Sequence, residues 1–159
     1  MNTLYLLLGS NIGDSNKRLS DAKKMIEKNI GKIVTASSIY RTAAWGKEDQ
    51  PDFLNQIVVA TSKLSASDVL NTIFSIEKEM GRIRTFKNAA RVIDIDILYF
   101  NDDIINTESL KVPHAQIQNR KFVLMPLVEI APDLIHPLLK KSAAELLNSC
   151  SDKLNVQKI

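Results

Sequence analysis

The stretch Arg91-Val92-Ile93-Asp94-Ile95-Asp96-Ile97-Leu98-Tyr99-Phe100 predicts a β-strand that carries two acidic side chains. Successive side chains of a strand point to opposite faces, so Asp94 and Asp96 share one face while the isoleucines share the other. Two like charges about 7 Å apart repel each other, which favours a cation between them. Mg²⁺ suits such a pair, because it takes one or two protein carboxylates together with phosphate oxygens of a substrate. The alternative is an ordinary amphipathic strand whose acidic face lies in water.

The residues before this strand favour the metal-site interpretation. Arg82, Arg84, Lys87 and Arg91 form a basic connector that leads into it. Guanidinium and ammonium groups are common phosphate donors, so the predicted metal site adjoins groups suited to a phosphorylated ligand. Glu77 lies near the apolar stripe of the preceding helix, where an acid is expected to pair with one of these arginines.

Upstream, the sequence predicts strand, helix, strand, strand and helix. Apolar and β-branched residues indicate the strands, and apolar residues at helical spacing indicate the helices. With the aspartate strand these elements form two βαβ-like halves joined by an antiparallel pair. We therefore expect an α+β fold with a ferredoxin-like split βαβ core, an antiparallel sheet and helices on one or both faces. The expected strands are Thr3–Leu8, ended by the turn 9–13, Lys32–Arg41 and Phe53–Ser62; the expected helices run from Asp14 or Ser15 to Ile30 and from a Ser65–Asp68 capping box to Met80.

Downstream, the sequence predicts a mainly helical C-terminal elaboration. Pro126 lies inside one of its helical patterns and is expected to shorten or kink that helix, because proline lacks the backbone N–H. The expected elements are a short hairpin of Ile104-Ile105 with Leu110–Val112, a helix from Asn119 to Glu129, a last helix from about Ser142 to Cys150, and a polar tail from Ser151 that frays.

Length and composition indicate a single globular domain, 1–159, with 45% hydrophobic and 25% charged residues. The net charge of +3 permits an anionic substrate but does not indicate a nucleic-acid binder. The first apolar run is too short to cross a membrane and no signal-peptide pattern accompanies it, so we expect a cytoplasmic protein without membrane association. Cys150 is the only cysteine, which excludes a disulfide framework and cysteine-based zinc sites.

Two further features leave a structural and a functional interpretation open. Residues 42–52 join two predicted strands and are longer than a hairpin needs, which indicates either a loop that closes over a substrate or an ordinary surface loop. Trp45 favours the first, because a tryptophan in a polar loop needs an apolar partner. His114 is either a hydrogen-bonded structural residue or, with Asn119 and Arg120 nearby, a contact to phosphate.

A series of short motifs, each weak alone, is spread along the chain in a fixed order. They are Gly9-Ser10-Asn11, Tyr40-Arg41-Thr42, Asp49-Gln50-Pro51-Asp52-Phe53-Leu54-Asn55, Gly81-Arg82, Arg91-x-x-Asp94-x-Asp96, and Val112-Pro113-His114 through Asn119-Arg120-x-Phe122. From about Leu4 to Pro137, the ordered set resembles the 6-hydroxymethyl-7,8-dihydropterin pyrophosphokinase family of folate biosynthesis. The resemblance implies transfer of the β and γ phosphates of ATP together onto the pterin hydroxymethyl group, which gives AMP and the pterin diphosphate.

The resemblance also implies roles for individual residues. Asp94 and Asp96 would hold two Mg²⁺ ions between the ATP phosphates and the pterin alcohol, and Arg82 and Arg91 would neutralise the transferred group. No separate general base stands out, so the alcohol is expected to be activated by binding the Mg²⁺ that Asp96 shares. The implied ATP-binding residues are Arg84, His114 and Arg120, and the implied pterin-binding residues are Thr42, Gly46, Phe53, Asn55 and Phe122.

The chain departs from the commonest family pattern in places. Ala43-Ala44-Trp45 occupies the loop where Thr-Pro-Pro-x-Gly is frequent, Lys87-Asn88-Ala89-Ala90-Arg91 stands where Arg-Trp-Gly-Pro-Arg is frequent and lacks its tryptophan, and Ala115 follows the histidine where an aromatic residue is frequent. We expect a monomer that binds ATP and hydroxymethyldihydropterin and binds no nucleic acid. The rival interpretations are a palm-type nucleotidyl transferase and a ferredoxin-like module that binds RNA or a small ligand, although such a module would have no use for the paired aspartates.

Overall fold

The fold centres on an antiparallel sheet in the computed structural model, which describes residues 1–43, 51–81 and 92–159. The middle strand, β1 (Asn2–Ser10), pairs with β4 (Phe53–Ser62) on one side and with β5 (Asp94–Phe100) on the other. Two short strands, β2 (Lys32–Ala36) and β3 (Tyr40–Thr42), both pair with the outer side of β4. Beyond them, the C-terminal strand β8 (Val156–Lys158) pairs with β3.

Helices cover both faces of this sheet. On one face, the apolar sides of α1 and α2 pack against Leu4, Leu6 and Leu8 of β1. On the other face, α3 and α4 pack against Leu7 of β1 and Ile57 of β4. The helices are α1 (Ser15–Asn29), α2 (Ala66–Glu79), α3 (Lys121–Ile130) and α4 (Ala143–Ser149), and a small hairpin of β6 (Ile105–Asn106) with β7 (Lys111–Val112) and a 3₁₀ turn (Ile117–Asn119) precede α3.

The predicted α+β class with an antiparallel sheet is confirmed. The order β1, α1, β2 with β3, β4, α2, β5, with β1 and β4 adjacent in the sheet, is consistent with the split βαβ arrangement. Among the described helices, none is both long and apolar enough to span a membrane.

Three details of the expected elements are wrong. Gly9 does not end the first strand, because β1 keeps its pairing with β4 through Ser10. The strand expected over Lys32–Arg41 is two strands, because Ser37 leaves the regular ladder and exchanges hydrogen bonds with Ile57 through its backbone N–H (2.8 Å) and its hydroxyl (3.0 Å).

Two outcomes concern the C-terminal third, and the third error is among them. The helix expected through Glu129 is confirmed, since α3 continues past Pro126 to Ile130; Pro126 therefore does not shorten it, and a kink there stays a prediction. The tail from Ser151 was expected to fray, but residues 156–158 form β8 and extend the sheet. Val156 is the buried residue of this strand, and β8 pairs with the edge of β3 that β4 leaves free.

Gly31, between α1 and β2, is required by the close approach of β4. A Cβ atom there would lie 1.9 Å from the carbonyl oxygen of Thr61 and 2.8 Å from its carbonyl carbon. These are backbone atoms of a paired strand and cannot move aside. We expect Gly31→Ala to lower the free energy of unfolding by about 1–3 kcal/mol, measured by urea denaturation. Ser20→Ala on the exposed side of α1 is the control and should stay within about 0.5 kcal/mol of wild type; an equally small effect at Gly31 would contradict this packing.

Candidate functional site

A row of directly paired residues crosses the sheet where β5 begins. Asp94 pairs with Gly9, Gly9 pairs with Asn55, and Asn55 pairs with Tyr40. Directly paired residues of antiparallel strands project to the same face. Asp96, two residues after Asp94, pairs with Leu7, whose side chain packs with α3 and α4. The half-buried Asp94 and Asp96 therefore project to the α3/α4 face, as does Asn55.

Gly9 leaves room for the amide of Asn55. A Cβ atom at Gly9 would lie 2.9 Å from Asn55 Oδ1, closer than such atoms normally approach. The Asn55 side chain is only 4% exposed and thus lies low over the middle strand. An amide in this position can both donate and accept hydrogen bonds, which suits a flat heterocycle with alternating donors and acceptors.

Two residues farther along β3 and β4, the next pair on the same face is Thr42 with Phe53. Phe53 precedes Asn55 by two residues, so their side chains share a face. Thr42 is 2% exposed, and its hydroxyl makes no hydrogen bond within the described part of the chain. A buried hydroxyl without a partner is costly, so this atom is a candidate contact for a ligand. Residues 44–50, which follow Thr42 and Ala43 in the sequence, lie outside the described residues.

His114 lies beside the edge strand β5. Its backbone N–H donates to the carbonyl oxygen of Leu98 (3.0 Å), which aligns the segment before α3 with that strand. Burial and the Arg120 charge lower the pKa of His114, while the Asp94 charge opposes them. His114 Nδ1 accepts a hydrogen bond from the backbone N–H of Gln116 (3.1 Å), so the neutral ring carries its proton on Nε2. His114 can therefore donate to an anionic ligand without being charged.

The start of α3 adds a cation and an aromatic ring. The Arg120 guanidinium carbon lies 5.8 Å from the centre of the Phe122 ring, within the range of a cation–π contact. Both side chains are half-buried. A cationic group, a neutral histidine and two carboxylates around one edge of the sheet suit a ligand that carries both phosphate and a metal ion.

A family model described as 7,8-dihydro-6-hydroxymethylpterin-pyrophosphokinase matches residues 5–132. The chain belongs to this pyrophosphokinase family. It transfers pyrophosphate to hydroxymethyldihydropterin in folate synthesis, with ATP as co-substrate. The function implied by the sequence motifs is thereby confirmed.

Relatives of similar length carry the same description. The chain is 44% identical over 147 residues to 2-amino-4-hydroxy-6-hydroxymethyldihydropteridine pyrophosphokinase of Aquifex aeolicus, covering 91% of this chain and 90% of the relative. It is 39% identical over 138 residues to the protein of the same description from Haemophilus influenzae, covering 86% of each.

A solved structure supports the fold independently. A Plasmodium falciparum HPPK-DHPS triple mutant superposes with a TM-score of 0.77 at 20% identity, covering 93% of this chain and 43% of that chain. The pyrophosphokinase chain thus spans less than half the length of that protein, and at this identity the likeness shows the fold alone.

The carboxylates of Asp94 and Asp96 fit a magnesium site whose remaining ligands are water and phosphate oxygens of a substrate. In the described ranges no group of three or more His, Cys, Asp and Glu side chains is arranged to hold a metal ion. Mg²⁺ commonly takes only one or two carboxylates and completes its octahedron with water and phosphate oxygens. Asp94 and Asp96 on adjacent positions of one strand face are sufficient for that role.

Several predicted site residues of the pyrophosphokinase lie outside the described residues. These are Arg82, Arg84, Arg91 and Gly46, together with Lys87 and Trp45. The predicted arginine partner of Glu77 therefore stays a prediction. Within the described residues, Glu77 is 2% exposed and its Oε2 accepts a hydrogen bond from the backbone N–H of Ile95 (2.9 Å), between the two aspartates.

Sequence reasoning missed two residues that shape the site. It treated Gly9 as the end of a strand, although a glycine within a strand often marks a close approach and could have signalled one here. It treated the C-terminal tail as unstructured and so missed Asp152, whose carboxylate accepts a hydrogen bond from the first backbone N–H of α3 (3.0 Å, from Lys121). No local sequence signal connects residue 152 with that helix.

The neutral state of His114 can be tested in the metal-free protein by following both histidines in a proton NMR pH titration. We expect the His114 pKa to lie below its ordinary value of 6.5. Arg120→Gln should raise this pKa, because a repelling charge is removed, and Asp94→Asn should lower it further, because an attracting charge is removed. His136 is the internal control, since its pKa is lowered by burial and should not respond to either change. Shifts of His114 in the reverse directions would refute the arrangement.

Proposed function

We propose that the pyrophosphokinase binds ATP and the pterin on the α3/α4 face of its sheet, with the acceptor alcohol between the aspartates of β5 and the amide of Asn55. The observation that carries this proposal is the paired row Asp94–Gly9–Asn55. Because neighbouring antiparallel strands are about 5 Å apart, a ligand over Gly9 can reach both groups. The absence of a side chain at Gly9 lets the Asn55 amide lie close to the middle strand, so that no side chain of β1 separates this amide from Asp94.

Asp94 and Asp96 are the proposed metal ligands, and we propose that two Mg²⁺ ions bind there with the ATP phosphates. Bound magnesium supplies charge neutralisation and alignment of attacking and leaving oxygens. The two carboxylates fix the position of the ligand relative to β5, a strand paired to the sheet centre. No general base is proposed among the protein side chains, and the acceptor alcohol loses its proton to solvent as the new bond forms.

The basic residues act on the nucleotide. We assign Arg82 and Arg91 to the transferred pyrophosphoryl group and Arg84 to ATP, on the strength of the sequence motifs. Arg120 supplies a fixed positive charge to the phosphates, and His114 Nε2 donates a hydrogen bond to them. Keeping His114 neutral limits the positive charge near Arg120, so that these two residues do not repel each other in the free enzyme.

The pterin side of the site is apolar with a few polar contacts. Phe53 and Phe122 provide the ring environment, and Asn55 reads the edge of the heterocycle through its amide. The buried Thr42 hydroxyl, which makes no hydrogen bond within the described ranges, is a further contact. Gly46, assigned from the sequence motifs alone, completes the set of proposed pterin-binding residues.

The domain organisation, oligomeric state and cellular location of the protein are also proposals. We propose that residues 1–159 act as one pyrophosphokinase domain, that the active species is a monomer, and that it works in the cytoplasm. The sequence supports the first through its length and single continuous motif series. Size-exclusion chromatography with light scattering tests the monomeric state.

The reaction itself is tested by incubating the protein with ATP, 6-hydroxymethyl-7,8-dihydropterin and Mg²⁺, followed by chromatography of the nucleotides. A pyrophosphokinase forms AMP and the pterin diphosphate in equal amounts. A palm-type nucleotidyl transferase would instead release pyrophosphate and leave a nucleotidyl group on the pterin. Formation of that product would refute the proposed reaction.

Replacing either metal ligand should remove turnover. We expect Asp94→Asn and Asp96→Asn each to lower kcat by about 100-fold or more, because each removes a full charge where the transferred group must be stabilised. Steady-state kinetics at saturating Mg²⁺ measures this, and circular dichroism verifies folding. The matched control is Asp103→Asn in the exposed turn after β5, which should retain wild-type kcat. Substantial activity in both aspartate variants would rule out these residues as the metal ligands.

A further inference from the structure

The C-terminal segment, residues 151–159, contacts two elements that carry proposed substrate-binding residues, α3 and β3. It touches the first turn of α3, which carries Phe122 next to Arg120, and it touches β3, which ends at Thr42. These contacts are specific hydrogen bonds and strand pairing rather than loose packing. The segment is thus connected to the site through two routes, one at α3 and one at β3.

The first route is the carboxylate of Asp152. Its Oδ2 accepts a hydrogen bond from the backbone N–H of Lys121 (3.0 Å), and its Oδ1 accepts one from the backbone N–H of Leu154 (2.9 Å). Arg120 occupies the N-cap position of α3 but its side chain forms no capping hydrogen bond. Asp152 therefore performs the role of the cap from a distant point of the chain, and its negative charge also suits a helix N-terminus.

The second route is β8. Val156 pairs with Thr42 and Lys158 pairs with Tyr40, and the backbone N–H of Ile159 donates to the carbonyl oxygen of Ile39 (2.9 Å). β8 thereby satisfies the edge of β3 that faces away from β4. A three-residue strand held on one side only would fray easily, and pairing on both sides restricts it.

Glu129 joins the two routes. Its Oε1 accepts hydrogen bonds from the backbone N–H of Ser38 (2.9 Å) and from the Tyr40 hydroxyl (3.0 Å). Its Oε2 accepts a hydrogen bond from the Ser38 hydroxyl (2.7 Å) and lies 3.4 Å from Lys158 Nζ. Burial raises the pKa of Glu129, but these bonds and the Lys158 charge outweigh it and keep the carboxylate ionised. Burial and the bond to Glu129 raise the pKa of Tyr40 to about 12, so its hydroxyl remains a donor.

We propose that the C-terminal segment is a positioning element of the active site, and that Asp152 is its main positioning residue. By fixing the first turn of α3, Asp152 sets where Arg120 and Phe122 meet the substrates. This inference rests on the proposed function, in which those two side chains contact ATP and the pterin. Asp152 itself contacts neither substrate.

The chain offers a matched control in the cap of α4, a helix that carries none of the proposed site residues. Ser142 caps α4 through a hydrogen bond from the backbone N–H of Glu145 to its hydroxyl (3.2 Å), and Glu145 Oε1 accepts one from the backbone N–H of Ser142 (3.0 Å). α4 carries none of the proposed site residues. Ser142→Ala and Asp152→Ala therefore each remove one cap, but only the second removes a cap next to the site.

The experiment measures Tm, kcat and the KM values for the pterin and for ATP in the full-length variants. We expect Asp152→Ala to raise the KM for the pterin about fivefold, the factor that corresponds to the loss of one helix cap. Ser142→Ala should lower Tm by about as much as Asp152→Ala does and leave both KM values at wild type. Asp152→Asn keeps an oxygen acceptor for Lys121 and should recover most of the affinity. It also serves as the test variant if Asp152→Ala does not fold, and a KM for the pterin between wild type and twofold higher is then expected.

A double variant separates positioning from general stability. If Asp152 acts through Phe122, adding Asp152→Ala to Phe122→Leu should raise the KM for the pterin less than it does in wild type, whereas Ser142→Ala should have no effect on KM in either background. Equal KM changes in Asp152→Ala and Ser142→Ala, or wild-type KM in Asp152→Ala despite a lowered Tm, would overturn the proposal. If Phe122→Leu and Arg120→Lys themselves leave both KM values unchanged, the proposed site assignment fails and the positioning role fails with it. If they raise KM and Asp152→Ala does not, only the positioning role is lost.

Discussion

The register of β1 against its two neighbours is the constraint on which the rest of the structure depends. Gly9 lies between Asp94 on one side and Asn55 on the other, and this pairing brings a carboxylate and an amide from distant parts of the chain to the same face. A shift of one residue in either ladder would move one of them to the opposite face, into the core formed with α1 and α2. The apolar alternation of β1 opposes such a shift, because Leu4, Leu6 and Leu8 are fully buried on that core face.

The two faces of the sheet therefore have different roles: one is an apolar core, and the other carries the polar groups of the candidate site. The face under α1 and α2 is filled by leucine, isoleucine and valine side chains, and it provides most of the apolar burial. The face under α3 and α4 is apolar only along part of the strands, through Leu7, Ile57 and Leu98. Where that core ends, the polar groups of the site begin. A rigid strand scaffold with one side fully packed can hold polar groups in fixed positions on the other side.

The acidic side chains on this second face are partly open to solvent and have a basic side chain nearby. Asp94 and Asp96 are only half-buried, and Arg120 and His114 are close enough to influence the local field. Glu77, buried beneath the same strand, accepts the backbone N–H of Ile95 and so connects α2 to the edge of β5. Farther out, Glu129 and Asp152 connect α3 to β3 and to the C-terminal segment. The carboxylates in and around the candidate site thus differ in role. The two aspartates of β5 face the candidate site, whereas the other three carboxylates connect helices and strands by hydrogen bonds.

The sequence by itself determined the fold class, the face shared by Asp94 and Asp96, and the membership of the family, because strand alternation, helical spacing and ordered motifs are local properties. It also determined most element bounds, including Phe53–Ser62 as a strand. It did not determine that Ser37 interrupts the second strand or that residues 156–158 form a strand. Both depend on a partner far along the chain: Ile57 for Ser37, and the free edge of β3 for β8. The proximity of Asn55 to Asp94 and of Asp152 to Lys121 likewise exists only in the tertiary structure, since hydrogen bonds and strand pairs between distant segments leave no periodic signal in the segments themselves.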